Sequence, residues 1–154
     1  PAEVWTVAKA EQGNAVLVRP LGLDVAVPIF IAPLEAQSIL IGLGSVKMPR
    51  PLTHDLFITV LENLEASVNR VEITALKEGT YYAKLILEAS GSEISVDARP
   101  SDCLALHTAR RLPTGGRRRL YAARRAAPSG ETLRAIGDLP HGGAGRGPVQ
   151  WEKW

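Results

Sequence analysis

Met48-Pro-Arg-Pro-Leu-Thr-His-Asp55, Val71-Glu-Ile-Thr-Ala-Leu-Lys-Glu-Gly-Thr-Tyr-Tyr-Ala-Lys-Leu85 and Val96-Asp-Ala-Arg-Pro-Ser-Asp102 are three passages of one stretch, and the fold turns on how they are read. The first ends at a helix start. Thr53 suits an N-cap, and Asp55 suits the positive end of the helix dipole. Leu52, Leu56, Phe57, Val60, Leu61 and Leu64 then recur at helical spacing, so a helix from Thr53 is expected to bury that stripe. Leu52 and Phe57 are placed to staple its entry. Three strands are expected next, over 67–76, 80–88 and 93–98, with hairpin turns at Lys77-Glu-Gly79 and Ser90-Gly-Ser92. A third helix is expected from Pro100, capped by Ser101 or Asp102.

On the N-terminal side, Glu3 to Lys9 alternates and is rich in Val, Thr and Trp, which predicts a strand. Glu11-Gln-Gly-Asn14 turns it into a second strand over 15–19, and a third spans 25–31. Pro28 cannot donate a ladder hydrogen bond, so the third strand is expected at a free edge or a bulge. Ala32-Pro-Leu-Glu35 opens a helix whose inner face is Ala36, Ile39, Leu40 and Leu43, ended by Gly42 and Gly44. The sequence therefore predicts an α+β fold, with a mixed or antiparallel sheet of about six strands and two or three helices. Residues 1–106 form this body. Residues 107–154, with nine Arg among many Gly, Pro and Ala, are expected to be a poorly ordered basic tail with at most a short helix over 117–127.

The chain has 154 residues and only 5% aromatics, so the core must be aliphatic. Its net charge of +2 hides two opposite halves. Residues 1–106 hold eight Lys+Arg against thirteen Asp+Glu, a net of −5, and residues 107–154 hold ten against three, a net of +7. Such a tail binds nucleic acid by neutralising phosphates, without needing a fold. The acidic body is a poor electrostatic match for the same ligand. Cys103 is the one cysteine, so no internal disulfide forms and a reducing, cytoplasmic setting is the default expectation. The opening residues show no basic region followed by an apolar run, and the apolar stretch 25–46 is too interrupted to span a bilayer.

Polar residues gather at the two junctions. His54 has the chemistry of a general acid or base near neutral pH, and Asp55 could orient it. Arg99 could clamp a phosphate in bidentate fashion, with Ser101 and the helix N-terminus supplying further donors. Asp55, Asp97 and Asp102 could share a divalent cation such as Mg²⁺ or Mn²⁺. Arg50 and Arg70 are further candidate phosphate contacts, although single surface arginines are usually solvated. Each also has a structural reading: Asp55 as a dipole partner, Arg99 in a salt bridge that locks its loop, Glu35 as a helix-start charge, and Cys103 as a small core residue. Tyr81 and Tyr82 alternate on a strand, so one faces the core and the other solvent.

Pro51-Leu-Thr-His-Asp55, Arg70-Val-Glu-Ile-Thr74, Glu78-Gly-Thr-Tyr-Tyr-Ala83 and Asp97-Ala-Arg-Pro-Ser-Asp102, with Pro28-Ile-Phe-Ile31 before Glu35-Ala36, resemble the bifunctional nuclease domain family over roughly residues 3–106. The resemblance implies an α+β domain that forms a homodimer and cleaves both DNA and RNA. In that case His54, Asp55, Arg99 and Asp102 are the catalytic candidates, and Arg50, Arg70 and Ser101 the substrate contacts. The dimer would use the open edge at the Pro28 strand. The other reading is a non-catalytic dimeric interaction domain whose polar motifs are structural locks. After Leu106 the text departs from the family pattern and reads like a GC-rich gene translated out of frame.

Overall fold

The computed structural model describes residues 1–44, 48–109, 119–122 and 152–153. It contains strands β1 (Ala2–Ala10), β2 (Gly13–Pro20) and β3 (Val27–Ile31), then helices α1 (Pro33–Leu43) and α2 (Thr53–Asn63). Strands β4 (Ala66–Lys77), β5 (Thr80–Ala89) and β6 (Ser92–Ala98) follow, then helix α3 (Pro100–Thr108), strand β7 (Arg119–Ala122) and the two-residue β8 (Glu152–Lys153). The α+β class is as expected. Seven strands lie in the order β3-β2-β1-β7-β4-β5-β6, and β8 pairs separately with β1. All pairings are antiparallel except β4 with β7, which is parallel. Among the described residues no helix is long and apolar enough to cross a membrane.

The hairpins form where their turn residues allow. Glu78 and Gly79 sit at φ 49° and 76°, and Ser90 and Gly91 at 51° and 73°. Two consecutive positive φ angles make the turn twist with its strands. β3 is an edge strand, with Pro28 opposite Leu17, as its missing N–H requires. Val16 and Val18 of β2 face the main core with Ile39, Val71, Leu85 and Leu104. Leu17 points to the other face, against Ala8, Ala26 and the partly buried Trp5. Tyr81 packs on the core and Tyr82 is exposed, as the alternation predicts.

Both polar helix starts are built differently from the sequence expectation. Leu52, not Thr53, is the N-cap of α2, and the Asp55 carboxylate accepts a hydrogen bond from the Leu52 N–H at 3.0 Å. The carboxylate at the third helical position thus caps the turn, one arm of a capping box. At α3 the N-cap is Arg99, not Ser101 or Asp102. Pro100 presets the first helical φ and forces the residue before it into extended geometry, which displaces the cap by two or three positions.

Two further expectations are corrected. The stripe predicted to bury α2 faces solvent, with Leu56 57%, Phe57 44%, Val60 48% and Leu64 70% exposed. The helix instead turns Ile58, 4% exposed, and part of Leu61 to the core. Residues 119–122, expected to lie in a poorly ordered tail with at most a short helix, form β7, which lies between β1 and β4. The remainder of the 117–127 segment lies outside the described residues, as does most of the expected tail. Leu120 opposes Ala2 on one side and Val71 on the other and is 2% exposed. Strand propensity and a central apolar slot outweigh the helix-favouring alanines around it.

Gly42 is not a helix terminator but a packing site. A Cβ there would lie 2.7 Å from the Thr108 carbonyl carbon and 2.8 Å from Thr108 Oγ1, so α1 and α3 touch through its missing side chain. Two outcomes are expected in chemical denaturation. Gly42→Ala gains about 1 kcal/mol of helix propensity but forces the backbone of α3 to move, so a net loss of about 1–3 kcal/mol is expected. Leu120→Ala should cost about 2–5 kcal/mol as a core truncation. An unchanged midpoint in either variant would contradict the corresponding contact.

Candidate active site

A cleft of about 190 Å³ opens among α1, α2 and α3, lined by Ser38, Arg50, His54, Asp55, Thr59 and Ala105 among others. Each wall has a local cause. Pro49 and Pro51 bracket Arg50 and lead the chain into α2. His54 and Asp55 occupy the first turn of α2, and Thr59 lies one turn further on. Thr59 Oγ1 donates to the Asp55 carbonyl at 3.0 Å. Ala105 keeps α3 small where the cleft passes over it. His54 and Asp55 are half-buried and Arg50 is exposed at the mouth.

The residues singled out from sequence fall into three places. Arg50, His54 and Asp55 share the cleft. Arg99 and Asp102 form a second cluster: Nε and Nη2 of Arg99 donate to the two carboxylate oxygens of Asp102, each at 2.8 Å. Glu35 joins it, its Oε1 3.1 Å from Arg99 Nη2, so the arginine ties the start of α3 to the start of α1. Both carboxylates, Asp102 foremost, raise the Arg99 pKa and keep its charge fixed. Ser101 is buried in the first turn of α3.

Arg70 and Asp97 lie on the opposite face of the sheet from the helices. Their neighbours Val71 and Val96 project to the helix side, and successive strand residues alternate. Arg70 Nε donates to Glu72 at 2.6 Å, and its other nitrogens bind both oxygens of Glu93. Glu93 and then Glu72 raise the Arg70 pKa, and Arg70 in turn lowers that of Glu93. Asp97 stands across from Lys84 in register.

Three carboxylates therefore do not converge. Among the described residues no three His, Cys, Asp or Glu side chains are close enough to hold a metal ion. Asp55 caps α2, Asp102 faces Arg99, and Asp97 is on the other face, so the expected shared Asp55/Asp97/Asp102 site is corrected. Cys103 is buried in the core, and burial, with Asp102 and Asp97 adding, pushes its thiol pKa up to about 12. At neutral pH it stays a thiol, which fits a core residue and not a nucleophile.

The four arginines of residues 1–106 can now be compared. Arg19 pairs with Glu3, Arg70 with Glu93 and Glu72, and Arg99 with Asp102 and Glu35. Arg50 has no carboxylate partner among the described residues, and it lines the cleft. Its Pro-Arg-Pro setting was legible, but its singular freedom needed the other three pairs. Ser38 of α1 and Thr59 of α2, which also line the cleft, had no signal in the sequence.

Curated relatives share this text. An uncharacterized protein of Mycobacterium tuberculosis is 39% identical over 100 residues, covering 65% of this chain and 59% of that protein. Bifunctional nuclease 1 of Oryza sativa subsp. indica is 28% identical over 102 residues, covering 64% of this chain and 31% of that protein. The chain thus spans about three fifths of the first relative's length and under a third of the second's. A family model described as the bifunctional nuclease domain matches residues 15–124, continuing past Leu106 through β7. With that match over most of its length, the chain belongs to the bifunctional nuclease domain family.

Proposed function

We propose that this domain hydrolyses phosphodiester bonds in DNA and RNA with little sequence specificity, at the cleft that holds Arg50 and His54. The observation that carries the reading is Arg50, without a carboxylate partner among the described residues, lining the same cleft as His54 at the entry to α2. A guanidinium without a carboxylate partner is open to a phosphate, and a helix N-terminus favours the same anion. The cleft's size supports backbone recognition. At about 190 Å³ it is smaller than the roughly 300–1,000 Å³ of pockets that enclose whole drug-sized ligands. It suits a phosphate group with its attacking water, and bases left outside are not read.

In this scheme His54 takes a proton from water as the oxygen attacks phosphorus. The P–O bond to the leaving sugar oxygen then breaks, and the imidazolium returns a proton to that oxygen. Arg50 balances the charge that builds on the phosphoryl oxygens. Asp55 is spent on the cap of α2, so its part is to hold the His54 backbone in place. Arg99 and Asp102 become positioning residues that fix α3 against α1 through Glu35. Among the described residues Asp55, Asp97 and Asp102 do not converge on a shared site, so in this scheme the chain's own groups carry the proton transfers.

One observation favours the non-catalytic reading. Arg99, the motif arginine, has its guanidinium committed to Asp102 and Glu35, as a structural lock would. The two readings separate in a cleavage assay on single-stranded DNA and RNA with the full chain, in Mg²⁺, in Mn²⁺ and in chelator. His54→Ala is expected to lower kcat about 10²-fold or more, as the loss of a general acid–base. Arg50→Ala is expected to raise KM, with unchanged thermal melting in both variants. Cleavage that is absent from the wild type, or unaffected in both variants, would assign the domain to binding alone. Retention of nucleic acid by the basic tail does not score, because only cut product is read.

A further inference from the structure

We infer that Met48 is a modification site: a peroxide oxidises its thioether to the sulfoxide, and that change weakens the cleft's hold on phosphate. The chain has one methionine and one cysteine. Both residue types are oxidised at sulfur, to an extent set by exposure and, for cysteine, by thiolate character. The fold treats the two oppositely. Cys103 is 0% exposed in the core, and burial keeps it a thiol. Met48 is 38% exposed and lines the cleft with Arg50 and His54. Oxidation of this chain at sulfur is therefore directed to the candidate site and away from the core.

The step balances with the peroxide as the one co-reactant. The thioether lone pair attacks one peroxide oxygen, an S–O bond forms and the O–O bond breaks. The departing hydroxide takes the proton left on the new S–O oxygen and leaves as water. Sulfur loses two electrons and the peroxide gains them. A flexible apolar side chain has become a polar one, and sulfoxide reductases reverse the change.

Three features make that change matter in this cleft. Arg50 lies two residues after Met48 and has no carboxylate partner among the described residues. A sulfoxide oxygen accepts hydrogen bonds, so it competes with phosphate for that guanidinium. The cleft is also small, about 190 Å³, so an added oxygen takes room that a phosphate needs. Pro49 and Pro51 fix φ on both sides of Arg50, which limits how far the segment can swing the oxidised side chain clear. The inference rests on the cleft being a phosphate site, as in the nuclease reading, but not on turnover.

The test treats the full chain with a limiting dose of hydrogen peroxide at neutral pH. Peptide mass spectrometry is expected to place one added oxygen on Met48 and none on Cys103. Binding of inorganic phosphate, followed through the His54 ring resonances so that the basic tail does not contribute, is expected to weaken about tenfold on oxidation. Sulfoxide reductase restores it. Met48→Leu, which nearly conserves volume, is expected to abolish the response to peroxide, and Met48→Gln to weaken phosphate binding without peroxide. Oxidation at Cys103 ahead of Met48 would overturn the inference. So would phosphate binding that is absent from the untreated chain, unchanged by full oxidation of Met48, or equally peroxide-sensitive in Met48→Leu. A chain that binds phosphate with this redox response but cuts no nucleic acid would leave the inference standing and sink the nuclease reading alone.

Discussion

The pairing of β7 with both β1 and β4 is the contact on which the architecture depends. Without it the strands form two separate three-stranded antiparallel units, β3-β2-β1 and β4-β5-β6. Four residues join them, and Leu120 fills the slot with almost no surface left exposed. The helices repeat this division. α1 continues from the first unit, while α2 leads into the second and α3 leaves it. The cleft lies between them, so it sits on the seam that β7 closes. The Arg99–Glu35 bridge and the Gly42–Thr108 contact cross the same seam on the helix side. Cleft geometry and global stability are therefore coupled through a few contacts far apart in sequence.

Much of the fold was legible in the sequence because its causes are local. Glu78-Gly79 and Ser90-Gly91 require positive φ angles, and Pro28 cannot sit inside a sheet. Pro33 and Pro100 favour first helical turns. What was not legible depends on which face a neighbour covers. The α2 stripe is periodic, yet periodicity cannot say whether the core or another surface receives it. The strand at 119–122 was hidden by arginines on one side and alanines on the other. Its reason for being a strand is a vacancy between β1 and β4, which no local pattern reports.

The candidate site divides in the same way. The sequence placed His54 and Asp55 at a helix start and Arg99 and Asp102 at another, and both placements hold. It grouped them into one site because both are polar junctions, but the structure gives them separate partners. Asp97 and Arg70 follow from strand parity: each adjoins a residue that faces the helix layer, and so must face away from it. The acidic body supports this sorting. With thirteen carboxylates against eight basic groups in residues 1–106, an arginine without a partner among the described residues is the exception. Charge pairing, more than motif membership, separates Arg50 from the rest.

Helix α2 then has two tasks set by one turn of geometry. Its first turn must keep its N–H groups and His54 toward the cleft, which fixes its rotation about its axis. That rotation carries Phe57, Val60 and Leu64 to the far side, away from α3 and the sheet. A purely structural helix of this composition would roll to bury its larger apolar face. Here Asp55 anchors the first turn through the Leu52 N–H, while Ile58 takes the core contact. The exposed stripe is consistent with a rotation held by the cleft, and a partner that covers the stripe would remove the cost of holding it. Cleft and exposed stripe are thus opposite faces of one helix, so changes to one are expected to be felt at the other.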